Sequence, residues 1–468
     1  MVTNEAPFRS ELFSIDLLQH HARLLAKRHE VAVRKGPNRL LARLSSNERL
    51  LRAYNERTLL VEKNRRITPA SEWLLDNFYL IEAQIRMARR HLPRGFSREL
   101  PHLISGPNTG FPRVYDLALE LIAHVDGRID AAHLTSFVAA YEEVTALNLG
   151  ELWAIPIMLR LGLIENLRRV AAQLMSARQE RDDADEWANQ MLRAADADPA
   201  RLVVVVAALA ESGVKHSPAF VTEFWGRMQQ KSPALKLALS WMEERLAEEG
   251  TSIEQLVQAE SQSQAANQVS VGNSISSMRF LDAMNWREFV ETLSLVERQL
   301  RTDPADVYND MDFATRDAYR HVVEKVARQS PMTETDVARL VVELAGRYAG
   351  LDRRRSHVGY YLVDGGRSEL DLAARVKISL AAWLTRLSGK VPLAFYLASI
   401  ATITAGFVWL FVQIALWHEP AVWVPALVAV VGAIGASQLA VAIVNWLATL
   451  LVRPRLLPRL DFSDGIPM

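Results

Sequence analysis

The sequence predicts an all-α protein, a multi-helix domain followed by a C-terminal pair of transmembrane helices. Three observations predict it. Apolar residues recur at helical spacing from Ser10 to Gly350, helix-capping signals punctuate the same stretch, and an almost uncharged apolar run fills residues 391–452.

The helical stripes come first. Leu74, Phe78, Ile81 and Ile85 share one face, with Glu72, Asp76, Glu82 and Arg86 off it. Phe137, Tyr141 and Val144 make another. The β-branched run Leu202–Val206 has strand character. Asp198-Pro199 before it is an N-cap followed by a first-turn proline, so it reads as helix. Asn285–Glu288 and Thr333–Asp336 have the spacing of a capping box. Ser217-Pro218, Ser232-Pro233 and Asp303-Pro304 are further cap-plus-proline starts, and Gly250 and Gly350 sit where helices should end. No repeat of fixed period emerges.

Three stretches interrupt the pattern. His91–Pro112 carries Pro93, Pro101, Pro107 and Pro112 with Gly95, Gly106 and Gly110, and is expected to be largely loop. Gln262–Ser277 is rich in Ser, Gln and Asn and reads as a flexible joint. Arg353–Gly366 reads as a non-helical connector. The expected organisation is a helical domain over 1–350 with a joint near 262–277, a connector with an interfacial helix over 351–390, two transmembrane helices within 391–452, and a linker over 453–468.

Between Val391 and Val452 the only formally charged residue is Glu419, beside His418. A membrane-spanning helix needs roughly 20 apolar residues, so this run holds two, about Pro392–Leu416 and Val424–Leu451. Pro420 fits the start of the second better than its interior. A soluble core helix would not stay apolar on every face for so long. Arg386 and Lys390 precede the first span, Arg453, Arg455 and Arg459 follow the second, and the connecting turn has neither Lys nor Arg. The positive-inside rule then puts both ends of the hairpin, and the helical domain, in the cytoplasm. Leu372, Val376, Leu380, Trp383, Leu384 and Leu387 line one face of a helix over Glu369–Leu387. It could lie in the membrane interface with Trp383 at headgroup depth, or pack on the soluble domain as an ordinary amphipathic helix. Trp383, Arg386, Lys390, Arg453 and Arg455 are the membrane-interface candidates.

Composition narrows the chemistry. Lys+Arg and Asp+Glu are both 54 in 468 residues, so net charge offers nothing to nucleic acid. Cysteine is absent, which excludes disulfides, thiolate metal sites and a cysteine nucleophile and suits a reducing compartment. The start, Met1–Pro7, lacks the basic and apolar segments of a signal peptide. The 11 histidines form no ligand-spaced motif: His20 and His21 point to different helix faces, and a turn at Asp126-Gly127 separates His124 from His133. Nucleophile-elbow, P-loop and dinucleotide motifs are missing. Asp183/Asp185, Asp196/Asp198 and Asp310/Asp312 are Asp-x-Asp pairs of the kind that can hold a divalent ion and a nucleotide diphosphate, but they lie on acidic helical surfaces or at caps. No catalytic, cofactor-binding or metal residue is assigned. Two arginine clusters remain, Arg94 and Arg98 with their neighbours, and Arg353, Arg354 and Arg355. They suit phosphate, and the second could meet anionic headgroups, if they are not simply a solvated face.

Four strings carry a family resemblance: Ser71–Leu100 (SEWLLDNFYLIEAQIRMARRHLPRGFSREL), Leu149–Val170 (LGELWAIPIMLRLGLIENLRRV), Ser274–Arg328 (with MNWREFVETLSLVERQLRTDP and MDFATRDAYRHVVEKVAR) and Ser356–Asp371 (SHVGYYLVDGGRSELD). They resemble the cyclic β-1,2-glucan synthases of Gram-negative bacteria. Pro458–Pro467 (PRLDFSDGIP) is similar to the linker entering that family's glycosyltransferase domain. The resemblance implies the N-terminal region and first membrane hairpin of a multi-pass inner-membrane protein. The full-length family uses UDP-glucose and a divalent metal to build and cyclise the glucan; no cofactor falls in this segment. The segment alone is expected to be inactive and to support or regulate a downstream glycosyltransferase domain, in cis or on a separate chain, with the lipid bilayer as its other partner. Arg94, Arg98, Arg353, Arg354 and Arg355 are the candidates for contact with that domain. Two other readings stand beside it: a freestanding membrane-anchored scaffold that recruits a partner protein, and an enzyme with an unfamiliar site near the Pro/Gly loop.

Overall fold

The structure is a computed structural model, which describes residues 5–32, 39–60, 67–92, 96–197, 199–229, 235–377, 392–417, 421–451 and 457–462. The chain divides into two compact units, Met1–Ser294 and Leu295–Met468. Both are helical. Among the described residues the only strands are β1 (Val31–Ala32) and β2 (His102–Leu103), an antiparallel pair.

The first unit contains α1 (Ile15–Arg28), α2 (Leu40–Leu59), α3 (Pro69–Asp76), α4 (Phe78–His91), α5 (Phe96–Glu99), α6 (Arg113–His124), α7 (Ala131–Glu142), α8 (Leu149–Ala197), α9 (Pro199–Glu211), α10 (Pro218–Met228), α11 (Lys236–Glu248), α12 (Ile253–Ala283) and α13 (Trp286–Leu293). The 49-residue α8 organises it. Its first half, through Leu174, is buried in a core shared with α1, α2, α4, α6 and α7. Ala184, Ala188 and Met191 in its second half belong to a separate core with α9, α10 and α11. Gly162 permits the closest helix approach in the larger core. A Cβ there would stand 2.5 Å from Ile122 Cδ1 on α6, so the helix propensity lost at glycine is exchanged for intimate packing.

The stretch 262–277, expected to be a joint, lies inside the continuous helix α12. Its small polar side chains suit close packing rather than flexibility. Asn267, Ser270, Ser274 and Ser277 are buried. Asn166 on α8 donates to the hydroxyls of Ser270 and Ser274 at 3.2 Å each. The Ser277 hydroxyl donates to the Gly127 carbonyl at 2.7 Å and accepts from the Ile129 amide at 2.8 Å. Gly127 has φ +73, and a Cβ there would lie 2.9 Å from Ser274 Oγ. Serines recur because a turn and a helix meet there at backbone distance.

The second unit holds α14 (Leu295–Leu300), α15 (Phe313–Arg328), α16 (Glu334–Gly346), α17 (Val358–Val363) and α18 (Arg367–Ala373), then α19 (Pro392–Leu416) and α20 (Val424–Leu451). Arg353–Gly366, expected to be a non-helical connector, contains α17, whose Val358, Tyr361 and Leu362 are part of the unit's core. A six-residue helix between polar turns leaves little periodicity to read. Asp303-Pro304 begins no α-helix. The buried Asp303 carboxylate instead accepts from the amides of Val307, Tyr308 and Val358 at 3.2, 3.2 and 3.0 Å. The amphipathic stretch from Glu369 is not one helix either. It stops at Ala373 and Arg375 has φ +54, with Leu370 buried and Leu372 exposed. Other signals are realised as read. Ser217 caps α10, Thr333 and Asp336 form a capping box, and Gly250 and Gly350 have φ +74. Asn285 caps α13, but Glu288 accepts from the Asn285 side-chain amide at 3.3 Å and the box is not closed. Ser232-Pro233 and Asp198 lie outside the described residues.

The two apolar helices occupy the same residues that the sequence delimits. Their mean hydropathies are 1.9 and 2.3, and nearly all of their surface faces outward. They pack along a seam of small residues at every fourth position of α20: Gly432, Ala436, Ala440 and Val444. The Tyr396 hydroxyl donates to Asn445 Oδ1 across it at 3.0 Å.

Candidate membrane anchor and polar centres

Both flanks of the apolar pair are tied to the helical part of their own unit. Before it, the Lys377 amide donates to the Gln329 carbonyl at 2.8 Å. After it, residues 459–461 run antiparallel to 310–312. The Asp312 amide donates to the Arg459 carbonyl at 3.0 Å, and the Asp461 amide to the Asp310 carbonyl at 2.7 Å. The Arg459 amide donates to Thr315 Oγ1 at 3.0 Å. Two of the strings singled out in the sequence, MDFATRDAYR and PRLDFSDGIP, therefore meet. A pairing this short leaves no long-range trace in composition or periodicity.

The predicted interface residues Trp383, Arg386, Lys390, Arg453 and Arg455 lie outside the described residues, as does Arg94. Arg98 is exposed on α5. Arg353, Arg354 and Arg355 are exposed before α17. Arg354 forms a two-point pair with Asp364 at 2.7 and 3.1 Å. The Arg355 guanidinium lies 5.1 Å from the Tyr348 ring centre. Arg98 belongs to the first unit and Arg353–Arg355 to the second.

Several buried charges escaped the sequence reading. Glu165 on α8 is wholly buried and accepts from Arg43 at 2.8 and 3.0 Å, Asn47 at 2.7 Å, Arg168 at 2.8 Å and Arg169 at 3.2 Å. Burial acts to raise its pKa, but the bonds and charge of Arg43, and then of Arg168, overcome this and hold it down to about 2. Arg113 and Glu151 form a buried bidentate pair, both contacts 2.6 Å. His29 bridges Asp116 and the Tyr141 hydroxyl at 2.9 Å each; the His29 and Asp116 side chains are 4% and 5% exposed, which closes them to substrate. In the second unit, Glu297 accepts from Arg320 at 2.6 Å and from the Tyr308 hydroxyl at 2.7 Å, with both charged side chains fully buried. Burial acts to raise the Asp303 pKa, yet its bond to His357 and the amides around it leave it below the ordinary carboxylate range. These centres cross-link helices, each buried carboxylate accepting from side chains on other elements, as a buried charge requires. Helical periodicity treats such residues as polar-face positions, so nothing local marks them.

Three of the Asp-x-Asp carboxylates take structural roles. Asp183 accepts from Gln179 at 2.8 Å, Asp185 from Arg227 at 2.7 Å, and Asp312 caps α15 through the Thr315 amide at 2.8 Å. A shallow cleft near the junction of α8 and α9 is lined by Arg193, Ala194, Ala197, Arg201, Val204 and Val205, with no acid, histidine or hydroxyl among them.

Two of the histidines do converge. His21 on α1 meets Glu120 and His124, one turn apart on α6, with a potential ligand atom of each residue within 4.8 Å of the others. Glu120 and His124 are four apart in sequence, but His21 is 99 residues from Glu120, too far for a spacing motif.

No protein-family model matches the chain. It is similar to the cyclic beta-(1,2)-glucan synthase NdvB of Rhizobium meliloti (strain 1021), at 32% identity over 472 aligned positions that take in 98% of the chain. The chain spans 16% of the length of that relative. The resemblance carried by the four strings is thereby shown over nearly the whole chain, consistent with an N-terminal region of such a synthase.

Proposed function

We propose that this chain is a non-catalytic, membrane-anchoring part of a cyclic β-1,2-glucan synthase, and that it supports or regulates a glycosyltransferase domain. The observation that carries this reading is the similarity of 98% of the chain to a small fraction of a much longer synthase. The two apolar helices match the lipid bilayer in length and composition. Unit-2 segments on both sides of them hydrogen-bond to the unit's own helices, which supports a reading with both flanks on one face of the membrane. The Lys/Arg distribution supports that face being cytoplasmic, in a bacterial inner membrane. UDP-glucose and a divalent metal are the donor and cofactor of the full-length reaction in this proposal, held outside this segment.

The antiparallel contact of 459–461 with 310–312 ties the segment after the apolar pair to the second unit. In this reading Arg353–Arg355, exposed on the same unit, are the contact surface for a glycosyltransferase domain. In a full-length synthase, replacing the residues equivalent to Arg353, Arg354 and Arg355 with Ala lowers glucan synthesis while expression and membrane insertion stay normal. Unchanged synthesis by normally inserted protein refutes the supporting role, and leaves a scaffold for another partner protein as the better reading.

A further inference from the structure

We propose that His21, Glu120 and His124 form a binding site for a single zinc-class divalent cation that fastens the N-terminal segment and α1 to the C-terminal end of α6.

The donor set is two imidazoles and one carboxylate, which suits zinc and its first-row neighbours and suits calcium or magnesium poorly. His21 Nε2 lies 2.9 Å from Glu120 Oε2, and His124 Nε2 lies 3.7 Å from the same oxygen. A tetrahedral ion with bonds of ~2.0–2.1 Å holds its ligand atoms about 3.3 Å apart. The two observed separations straddle that value, and the His21–His124 separation is within 4.8 Å, so closing the three ligands on an ion takes side-chain shifts of up to about an ångström.

The surroundings prepare the ligands. His124 Nδ1 lies 2.9 Å from the Glu11 carbonyl oxygen. A carbonyl can only accept, so Nδ1 carries the proton and the neutral ring offers the Nε2 lone pair. The Phe13 ring stacks on His124 at 3.9 Å between centres and meets His21 edge-on at 5.6 Å, which holds both imidazoles in place. The Phe13 amide donates to the His124 carbonyl and the Ser10 amide to the Ala123 carbonyl, both at 3.1 Å, so the incoming chain lies over the end of α6. His124 is in the last turn of that helix, where the helix dipole favours positive charge. In neutral His21 the ion takes the place of the Nε2 proton, which moves to Nδ1, so binding needs no change in net proton count.

One group opposes the cation. Arg28 Nη2 is 3.7 Å from the other carboxylate oxygen, Glu120 Oε1, but its side chain is 63% exposed and can turn to solvent. The His21, Glu120 and His124 side chains are 21%, 25% and 11% exposed, which leaves a path for the ion and room for water to complete its shell.

The test is zinc titration of the untagged full chain in detergent, after chelator treatment, in competition with a chromophoric chelator. Cobalt absorption gives the coordination number. One equivalent is expected to bind, His21→Ala and His124→Ala each weakening it at least tenfold. Glu120→Gln, which keeps size and hydrogen bonding, should weaken it and alter the cobalt spectrum. His20→Ala, at the exposed neighbouring position, should leave affinity unchanged, and circular dichroism checks that each variant is folded. Absence of stoichiometric zinc binding in the wild type overturns the proposal. So does undiminished binding by folded Glu120→Gln together with either folded histidine variant.

Discussion

Replacing Glu165 with Gln should cost the first unit about 3 kcal/mol at neutral pH. The magnitude follows from the centre itself. Glu165 is fully buried, and its pKa stands at about 2 against an ordinary 4.5. That difference corresponds to about 3 kcal/mol of preference for the charged form in the folded protein. Removing the charge also leaves Arg43, Arg168 and Arg169 facing a neutral amide, and breaking a buried pair from one side costs roughly 3–5 kcal/mol. The sign of the pH dependence follows too. A carboxylate with a depressed folded-state pKa contributes fully above about 4.5, and its contribution is lost as pH falls towards 2. The gap between wild type and variant should therefore be about 3 kcal/mol at pH 7 and shrink to about 1 kcal/mol at pH 3. Urea unfolding of the detergent-solubilised chain measures this by tryptophan fluorescence. Trp73, Trp153, Trp187, Trp225, Trp241 and Trp286 all report on the first unit. Glu143→Gln, in the exposed pair with Arg23, is the control and should not move the midpoint. Equal midpoints for Glu165→Gln and wild type at pH 7, or a gap that stays constant from pH 7 to pH 3, refute the reasoning.

Other perturbations test other contacts. Gly127→Ala places a Cβ against Ser274 and forces alanine to φ +73, and should lower the unfolding free energy by about 1–2 kcal/mol, read as a lower urea midpoint. Asp303→Asn keeps the shape but removes the charge that His357 and the three amides share. A loss of about 2 kcal/mol in the second unit is expected, read by hydrogen exchange at Val307, Tyr308 and Val358. Ala440→Leu pushes a larger side chain into the buried seam of α20 and should loosen the helix pair, seen as reduced cross-linking between cysteines introduced at Tyr396 and Asn445. Reporter fusions at Met1 and after Met468 should both read cytoplasmic, and a periplasmic signal at either end would break the topology.

What the sequence determined by itself is whatever rests on local chemistry. Helix type follows from spacing, and caps such as Ser217 and Thr333 announce themselves because each acts within three residues of itself. The apolar pair is legible to the residue because lipid demands uninterrupted apolar length and leaves no tertiary alternative. The four strings carried the resemblance because they are long. Tertiary structure alone decided the rest. Ser270, Ser274 and Ser277 look like a flexible joint until Asn166 and the Gly127 turn are seen against them. Arg353–Gly366 looks like a connector until Val358 and Tyr361 are found in a core. Asp303 looks like a helix start, and Glu165 and Glu297 look like polar-face residues. Glu165 takes an arginine 122 residues away in Arg43, and Glu297 takes Arg320, 23 residues away. His21, Glu120 and His124 meet only because α1 packs on α6. A charge can be buried only where distant partners converge, and convergence is a property of the packed helices that no window of sequence contains.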